Sequence, residues 1–413
     1  MRAAGPGYSR LGSSTSSWRS SKADLPMSMP WRFPIPRQAG RWPSGLARYR
    51  HRVCQIIPAM FGEGGVFGGA ERYSFELARH MALFTPTILV TFGHQRRRYT
   101  TPEGLRVVVL ERPWYVRRQQ FNPIHPGLIR AVAEADVIHC HQTHTLASEL
   151  AALLARVSGR RVFTSDLGGG GWCLGARFRT SGLFHGHLHI SDYSRKLAGG
   201  VNDPRHDVIL GGVDTAKFSP AAHVPREPLV VFVGRLLPHK GVDVLVEALP
   251  PGMTLELIGR PYSEQYHMRL KELAAGKRVL FRTDCDDTEV VRAYRRAACV
   301  VLPSVYRDCY GHETRVPELL GQTPLEAMSC GTPAIVTRVA SLPEVVEDGE
   351  TGFIIPPNDP DALRARLEWV RDHPEKAHQI GAAGRKRVGE MFTWERVIER
   401  CLAAYGLTNS GGK

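Results

Sequence analysis

The sequence lacks two features that would place it in a common structural class. Its eight cysteines are scattered singly, without a Cys-x-x-Cys pair, and several lie inside apolar runs. This pattern predicts reduced thiols and argues against a disulfide or zinc framework. No apolar stretch reaches the ~18 residues of a membrane-spanning helix, because the longest candidate, residues 81–92, is interrupted by Thr85, Pro86 and Thr87. We therefore expect a cytoplasmic protein that is not an integral membrane protein.

Acidic residues are almost missing from the first 53 positions. Asp24 is the one acid there, against ten Lys and Arg residues, so this segment carries +9 of the formal charge of +14 and the remaining 360 residues carry +5. The segment is rich in Ser, Pro and Gly and lacks the continuous apolar core of a secretory signal. Residues 1–49 are therefore predicted to form a disordered tail. An arm that binds nucleic acid or an anionic lipid surface is the functional alternative.

The length and pattern of the rest predict two α/β domains. At roughly 100 to 200 residues per domain, 413 residues correspond to two. Apolar runs predict strands at 53–57, 87–92, 105–110, 137–140, 162–164, 229–233, 255–258, 279–281, 299–302 and 334–337. Amphipathic stretches predict helices at 70–84, 143–158, 242–249, 264–275, 288–297, 325–330, 361–372, 375–391 and 395–405. Such alternation is typical of doubly wound, Rossmann-like parallel sheets, whose ligands bind at the carboxyl ends of the strands, here in a cleft between two sheets.

Three segments carry residue types suited to a phosphorylated sugar ligand. Gly68 and Gly69 precede the predicted helix at 70, where glycine allows close backbone approach and the helix start favours a phosphate. By itself such a pair is more often a plain tight turn, and the full dinucleotide fingerprint is absent. Arg235 and Lys240 leave one strand-to-helix loop, so both cations can converge on a diphosphate without a metal. The alternative for them is a pair of solvated loop charges.

The third segment is residues 316–333. Glu318 and Glu326 are eight residues apart, with Gly321 and Pro324 between them. Two carboxylates placed on a turn and on the first turn of a helix can accept hydrogen bonds from sugar hydroxyls. Pairs of glutamates at this spacing recur by chance, so the specificity comes from the surrounding Gly, Pro and small residues.

These motifs resemble those of glycosyltransferase family 4, the group 1 glycosyl transferases of GT-B fold. The resemblance rests on Gly-Arg-Leu-x-x-x-Lys-Gly at 234–241, Glu-x-x-Gly-x-x-x-Leu-Glu-Ala-Met-x-x-Gly-Thr-Pro at 318–333 and Glu-Val-Val-Glu-Asp-Gly-Glu-Thr-Gly-Phe at 344–353. Gly-Gly-Ala-Glu-Arg at 68–72 and Asp-Val-Ile-His-Cys-His at 136–141 agree in the first half. The similarity covers residues 52–406 and leaves out the predicted tail.

The resemblance implies a retaining transferase that moves a sugar from a UDP- or GDP-linked donor to a hydroxyl of a glycan, lipid or small molecule. It implies an acceptor-side domain at 50–214 and a donor-binding domain at 215–391. The C-terminal helix, about 392–408, would cross back to the first domain. Peripheral contact with the inner face of an anionic membrane is compatible with this class, and no nucleic-acid partner is expected.

The resemblance also implies individual roles. Arg235 and Lys240 match the pair that holds the donor diphosphate, and Glu326 and Glu318 match the carboxylates at the ribose and at the donor sugar. The backbone after Gly321 and the loop at Gly69 would approach the phosphates. A histidine at the end of the 137–140 strand would lie near the transferred sugar; we assign this role to His141, with His139 and His144 as alternatives.

Other interpretations make different predictions. Asp284 and Asp286 form an Asp-x-Asp that could hold a divalent ion, but they precede a predicted helix, where acids cap helix starts; we favour the cap and expect neither a metal nor another cofactor. A nucleotide-sugar epimerase of the same fold and a basic nucleic-acid or membrane-binding protein without catalysis are the rival functions. The glycine run at 168–171 is either a mobile lid or an acceptor loop.

Overall fold

The structure is a computed structural model that describes residues 49–60, 69–119, 122–168, 170–178, 180–221 and 223–407. The predicted tail, apart from Tyr49, and Gly68 lie outside the described residues. The first half of the chain contains the strands β1 (Val53–Met60), β2 (Thr87–Gly93), β3 (Arg97–Thr100), β4 (Arg106–Glu111), β5 (Trp114–Tyr115), β6 (Pro123–Ile124), β7 (Val137–His141), β8 (Arg161–Ser165), β9 (Gly186–His189) and β10 (His206–Val208). Its helices are α1 (Gly69–Met81), α2 (Gly127–Ala133), α3 (Leu146–Val157) and α4 (Asp192–Leu197).

The second half repeats the alternation of strands and helices. Its strands are β11 (Glu227–Val233), β12 (Thr254–Ile258), β13 (Val279–Arg282), β14 (Ala297–Leu302), β15 (Ala334–Thr337) and β16 (Gly352–Ile355). Its helices are α5 (Val242–Ala248), α6 (Glu264–Leu273), α7 (Asp287–Arg296), α8 (Gln322–Ser329), α9 (Leu342–Val345), α10 (Pro360–Asp372), α11 (Pro374–Met391) and α12 (Trp394–Ala404). Short 3-10 turns lie at Val116–Arg118, Leu174–Ala176, Thr180–Leu183 and Pro238–Lys240.

Each half forms its own sheet. The first has the order β10-β9-β8-β7-β1-β2-β4-β3 and is parallel except for β3, which runs antiparallel to β4. The second has the order β13-β12-β11-β14-β15-β16 and is parallel throughout. The strand order reverses beside β1 in the first sheet and beside β11 in the second. Ligands of doubly wound sheets bind at such switch points, and the α/β fold predicted from the sequence is confirmed.

The apolar runs become central strands because both of their faces are covered. In β11 the side chains of Val230, Val231 and Phe232 are fully buried, and in β14 Cys299 and Val301 are as well. Parallel strands buried on both faces read as continuous apolar segments rather than as alternation. Each such side chain contributes about 1.5–3 kcal/mol relative to an exposed one, which fixes the strands whose ends carry the predicted site.

The C-terminal helix crosses back to the first half, as predicted. Trp394 at the start of α12 packs with its ring centroid 5.4 Å from that of Tyr73 and 5.4 Å from that of His80, both on α1. The Val213 amide donates to the Phe392 carbonyl oxygen at 2.8 Å. Tyr405, just after α12, is fully buried against the first sheet. The chain therefore ties its last helix to its first.

Two other observations concern the thiols and the helices. Cys54, Cys140, Cys285, Cys299, Cys330 and Cys401 are buried free thiols, and Cys309 is an exposed one. Among the described residues, no helix combines the length and the apolar character needed to cross a membrane.

The strands β9 and β10, at one edge of the first sheet, carry three histidines that the sequence did not mark as strand residues. His189 Nε2 lies 2.9 Å from His206 Nδ1, and the rings of His187 and His206 stack at 4.4 Å. Burial, followed by the neighbouring imidazole of His206, lowers the pKa of His187 and of His189 from 6.5 to about 4. Both rings are therefore neutral in the folded protein near neutral pH.

These rings predict that acid weakens the first half. Between pH 6.5 and about pH 4 these histidines are protonated in the unfolded chain but neutral in the folded protein. The unfolding free energy therefore falls as the pH drops toward 4, and below that pH these groups no longer change it. The loss is up to about 3 kcal/mol per ring. Urea unfolding at pH 7, 6 and 5 measures it, and His187→Gln should flatten the dependence, whereas His94→Gln, at an exposed position, should not. An unchanged pH dependence in His187→Gln would contradict the assignment.

Candidate active site

The loop after β11 places two cations at the switch point of the second sheet. After Val233 the chain turns through Arg235 to the 3-10 turn Pro238–Lys240. Gly241 follows with φ +64°, and a Cβ there would lie 2.1 Å from the Pro303 carbonyl oxygen. Only glycine fits this position, because both the left-handed backbone and the contact with the end of β14 exclude a side chain. The close approach sets the direction in which Lys240 leaves the loop.

Lys240 and Glu318 are brought together from distant parts of the chain. Lys240 Nζ forms an ion pair with Glu318 Oε1, and both side chains are mostly buried, 14% and 11% exposed. Ser304 Oγ donates to the same carboxylate oxygen at 2.8 Å. Lys240 Nζ also donates to the Pro317 carbonyl oxygen at 3.3 Å. The predicted phosphate cation and the predicted sugar-binding carboxylate thus neutralise each other.

Arg235 and His239 complete this loop. Arg235 is exposed, and its guanidinium lies over the Tyr262 ring at 5.7 Å from the centroid. Burial, followed by the charge of Lys240, lowers the pKa of His239 to about 4. At neutral pH the loop therefore presents the charges of Arg235 and Lys240 with a neutral imidazole between them.

Helix α8 carries Glu326, and Gly321 lies directly before its first residue. Gly321 has φ +89°, and a Cβ there would lie 2.8 Å from Leu342 Cδ2. The Thr323 hydroxyl donates to the Val233 carbonyl oxygen at 2.9 Å, which joins the helix start to the end of β11. Glu326 is 5% exposed, and its Oε2 accepts from the Tyr294 hydroxyl at 3.3 Å. The structure therefore brings Arg235, Lys240, Glu318 and Glu326 to one end of the second sheet.

An arginine of the first half reaches this carboxylate. Arg72 on α1 lies with one terminal nitrogen 3.5 Å from Glu326 Oε1 and the other 3.3 Å from Asp287 Oδ1. Lys217 also pairs with Asp287. No role was predicted for Arg72, although it ends the Gly-Gly-Ala-Glu-Arg motif. Gly69, the first residue of α1, would meet nothing described within 4 Å if it carried a Cβ, so these contacts show no steric need for glycine there.

The three candidate histidines have different environments. His139 is fully buried and uses both ring nitrogens, Nε2 with Ser165 Oγ at 2.8 Å and Nδ1 with the Tyr405 hydroxyl at 2.7 Å. His141 is also fully buried, with Nε2 3.0 Å from Gln55 Oε1, while its Nδ1 has no hydrogen-bond partner among the described residues. His144 is exposed, 3.9 Å from Asp166. Burial, followed by His139, holds the pKa of His141 well below 6.5, so its ring is neutral.

The glycine run lies beside the cleft. A Cβ on Gly168 would lie 3.2 Å from Leu319 Cδ1, next to Glu318 in the second half. The Gly171 amide donates to the His144 carbonyl oxygen at 2.8 Å. Gly169 lies outside the described residues. Gly168 therefore lies close to Leu319, the residue that follows Glu318 in the sequence.

A buried carboxylate anchors the segment that comes after the glycine run. Glu149 of α3, 3% exposed, accepts from the amides of Leu174 and Gly175, each at 2.6 Å, and from the Thr180 hydroxyl at 2.8 Å. The Trp172 carbonyl oxygen accepts from Asn122 Nδ2 at 2.6 Å. Several hydrogen bonds thus fix the described residues of 172–180.

The Asp-x-Asp segment behaves as predicted for a helix start. The Asp286 side chain accepts from the Glu289 amide at 2.8 Å, and the Glu289 side chain accepts in return from the Asp286 amide. This is a capping box, and the prediction of a cap is confirmed. In the described part of the chain no group of three or more His, Cys, Asp or Glu residues is arranged to hold a metal ion.

The two halves also meet at α4. Glu344 accepts from the Asp192 amide at 2.7 Å and from the Tyr193 amide at 2.6 Å. Gln322 Nε2 donates to the Gly212 carbonyl oxygen at 3.2 Å. Polar contacts therefore join the two halves at the start of α4 and at Gly212, in the segment that connects the halves.

Comparison with known proteins identifies the class. Residues 214–387 match the family described as glycosyl transferases group 1. The alpha-maltose-1-phosphate synthase of Mycolicibacterium smegmatis is 30% identical over 329 residues, which cover 68% of this chain and 81% of that protein. The chain belongs to the group 1 glycosyl transferases. It is an enzyme, and the prediction of a nucleotide-sugar glycosyltransferase is confirmed at the level of this class.

Two further comparisons set the extent of the similarity. The glycogen synthase of Mycobacterium tuberculosis is 33% identical over 210 residues, and the chain spans about half of its length, 47%. The structure of Anabaena HepE in complex with UDP and glucose superposes with a TM-score of 0.65 at 17% identity, covering 87% of this chain and 100% of that one. At that identity the match supports the fold, which is GT-B.

Proposed function

We propose that the chain transfers a sugar with retention from a UDP- or GDP-linked donor to a hydroxyl of a glycan, lipid or small-molecule acceptor. In this proposal residues 215–391 bind the donor, while residues 50–214 with the C-terminal helix meet the acceptor. The observation that carries it is the convergence of Arg235 and Lys240, from one loop, with Glu318 and Glu326 at the switch point of the second sheet.

The two cations suit the chemistry of a departing diphosphate. Cleavage of the anomeric bond develops negative charge on the β-phosphate, and fixed cations aimed at that oxygen stabilise the transition state. Lys240 is held by Glu318 and Pro317 in the free protein. Donor binding would move its ammonium toward the phosphate and free Glu318 for the sugar hydroxyls. The exposed guanidinium of Arg235 can bind a phosphate with two parallel hydrogen bonds.

In this proposal the first half of the chain contributes uncharged groups that contact the transferred sugar and the acceptor. We assign His141, rather than His139, to the transferred sugar, because His139 already uses both ring nitrogens, whereas Nδ1 of His141 has no partner among the described residues. This nitrogen is buried in the free protein, and in this proposal donor binding uncovers it. The segment after the glycine run serves as an acceptor loop in this proposal, since Glu149 and Asn122 fix its backbone. The roles of Gly69 at the diphosphate and of the backbone after Gly321 are part of the same proposal.

The stereochemistry of the product tests the reaction. NMR of reactions with UDP- and GDP-sugars should show transfer or slow hydrolysis of the sugar. We expect the product to have the same anomeric configuration as the donor. In this proposal the acceptor attacks from the face of the departing phosphate, which accepts the acceptor's proton, and no covalent intermediate forms. An inverted product would contradict retention, a glycosyl adduct on Glu318 would indicate double displacement, and an epimerised donor would indicate an epimerase.

We propose that transfer needs no divalent metal. Asp284 lies 3.6 Å from Arg260 and Asp286 caps α7, so these acids already have partners, and Arg235 and Lys240 supply the positive charge at the diphosphate. Transfer rates in excess EDTA should equal those without it. A loss of activity that Mg²⁺ or Mn²⁺ restores would contradict the proposal.

A further inference from the structure

Glu326 is a buried carboxylate whose nearest cation belongs to the other half of the chain. Its Oε1 faces Arg72 at 3.5 Å, and its Oε2 accepts from Tyr294 at 3.3 Å. We propose that Arg72 is a positioning residue for the donor's ribose: it supplies, across the cleft, the counter-charge that holds Glu326 as an acceptor for two hydroxyls. This inference rests on the proposed role of Glu326 at the ribose.

The charges around Glu326 alternate in sign. Lys217 pairs with Asp287, Asp287 with Arg72 at 3.3 Å, and Arg72 with Glu326. The charge of Lys217 is therefore offset chiefly by that of Asp287. Arg72 is the cation in direct contact with Glu326, so its removal would leave that carboxylate beside the carboxylate of Asp287 without the charge that separates them.

The groups on every neighbouring element act on Glu326 in a known direction. Burial raises the pKa of Glu326, and Asp287 of α7 raises it further, while Arg72 of α1, Lys217 and the Tyr294 hydroxyl lower it. Glu76 of α1 and Cys330, just after α8, complete the surroundings: Glu76 interacts with Arg72 and Asp287, and Cys330 with Glu326 and Tyr294. Removing Arg72 takes away the cation in contact with Glu326, which favours the charged form, and leaves burial and Asp287 in place.

The protonation state decides which ligand groups Glu326 can bind. An ionised carboxylate accepts hydrogen bonds on both oxygens, whereas a protonated one donates from one of them. Hydrogen bonds to an ionised acceptor are also about twice as strong as neutral ones. A vicinal diol that donates both hydroxyl protons therefore needs the ionised form. Burial already holds the pKa of Glu326 above its ordinary value with Arg72 in place. Without Arg72, nucleotide affinity should therefore fall more steeply toward acid pH than it does in the wild type.

The test is calorimetric titration of UDP, GDP and ADP at pH 8, 7 and 6. In Arg72→Met we expect the Kd, relative to wild type at the same pH, to rise at least tenfold more at pH 6 than at pH 8. Arg72→Lys should restore most of the affinity at pH 6. Arg130→Met, on α2 in an exposed pair with Glu134, is the matched control and should follow the wild type. An equal loss at every pH would show that Arg72 only braces the two halves and would overturn the inference.

A second comparison removes the titrating group. In Arg72→Met/Glu326→Gln the extra pH dependence should vanish, because glutamine does not ionise. Without ligand, adding Glu326→Gln to Arg72→Met should raise the Tm. The increase should be larger at pH 8, where the unpaired carboxylate is charged, than at pH 6. Equal increases at the two pH values would overturn the inference even if no nucleotide binds. Glu326→Gln with wild-type nucleotide affinity would instead overturn the ribose assignment in the proposed function.

Discussion

Arg235→Ala is expected to lower the transfer rate at saturating donor by about 10²–10³, the usual cost of removing one preorganised group from a developing anion. Arg235 is exposed and contacts the Tyr262 ring, so its loss removes no buried contact and should leave the melting temperature unchanged. Lys240→Ala should cost as much. Initial rates with a donor titration separate kcat from KM, and the effect should lie mainly in kcat, because the charge on the phosphate grows in the transition state.

The two variants need different controls. Arg260→Ala removes an exposed arginine that faces Asp284 at 3.6 Å in the neighbouring loop, and it should retain wild-type turnover. Lys240→Ala also leaves the Glu318 carboxylate without its cation, so the melting temperature of this variant must be compared with that of Arg235→Ala. Wild-type turnover in both Arg235→Ala and Lys240→Ala would refute the diphosphate assignment.

Trp394→Ala is expected to destabilise the fold by about 3–5 kcal/mol, the usual cost of truncating a buried aromatic side chain. The ring is 3% exposed and packs on Tyr73 and His80 of α1. A Cβ added to Gly212 would lie 2.5 Å from this ring. The indole therefore packs directly against the backbone at Gly212, in the segment that connects the two halves. Urea unfolding followed by circular dichroism measures the loss.

Trp114 provides the matched control for this truncation. Its side chain is 69% exposed on β5, so Trp114→Ala should change the unfolding free energy by less than ~0.5 kcal/mol. If Trp394→Ala were equally mild, α12 would not be a structural part of the first half, and its crossing would carry no stability.

The elements that the sequence predicted best are those buried on both faces. β15 lies at Ala334–Thr337, as its apolar run indicates, and β11 extends the predicted run by two residues, Glu227 and Pro228. At its polar start β11 is exposed, so hydrophobicity could not mark the boundary. The loop with Arg235 and Lys240 follows β11 directly, and the segment 318–333 ends where β15 begins, which is why these candidate residues were predicted together with the fold.

Elements held by pairing rather than by apolar burial were missed. β3, Arg97–Thr100, is a polar edge strand that is largely exposed and pairs with β4 in antiparallel register. β9 is Gly-His-Leu-His, and its imidazoles are buried by stacking on a histidine of β10, His206. Neither segment has an apolar period. For α4 a signal existed, since Ser191 and Ser194 form a capping box at a spacing that the sequence shows.

The sequence predicted individual residues of the candidate site but not which of them form ion pairs with each other. Lys240 and Glu318 are 78 positions apart, and Arg72 and Glu326 are 254 positions apart. The juxtaposition of such groups depends on the packing of two sheets, which no local pattern encodes. The same holds for the histidines: His139 and His141 lie on one strand, and their partners, such as Tyr405 at His139, come from distant parts of the chain.

A crystal structure with UDP or GDP bound tests the central claim most directly. We predict the β-phosphate within about 2.7–3.2 Å of donors from Arg235 and Lys240, with the ribose hydroxyls on the carboxylate of Glu326 and Lys240 moved away from Glu318. A nucleotide bound elsewhere, or with its diphosphate out of reach of both cations while Lys240 stays on Glu318, would contradict the donor-site assignment.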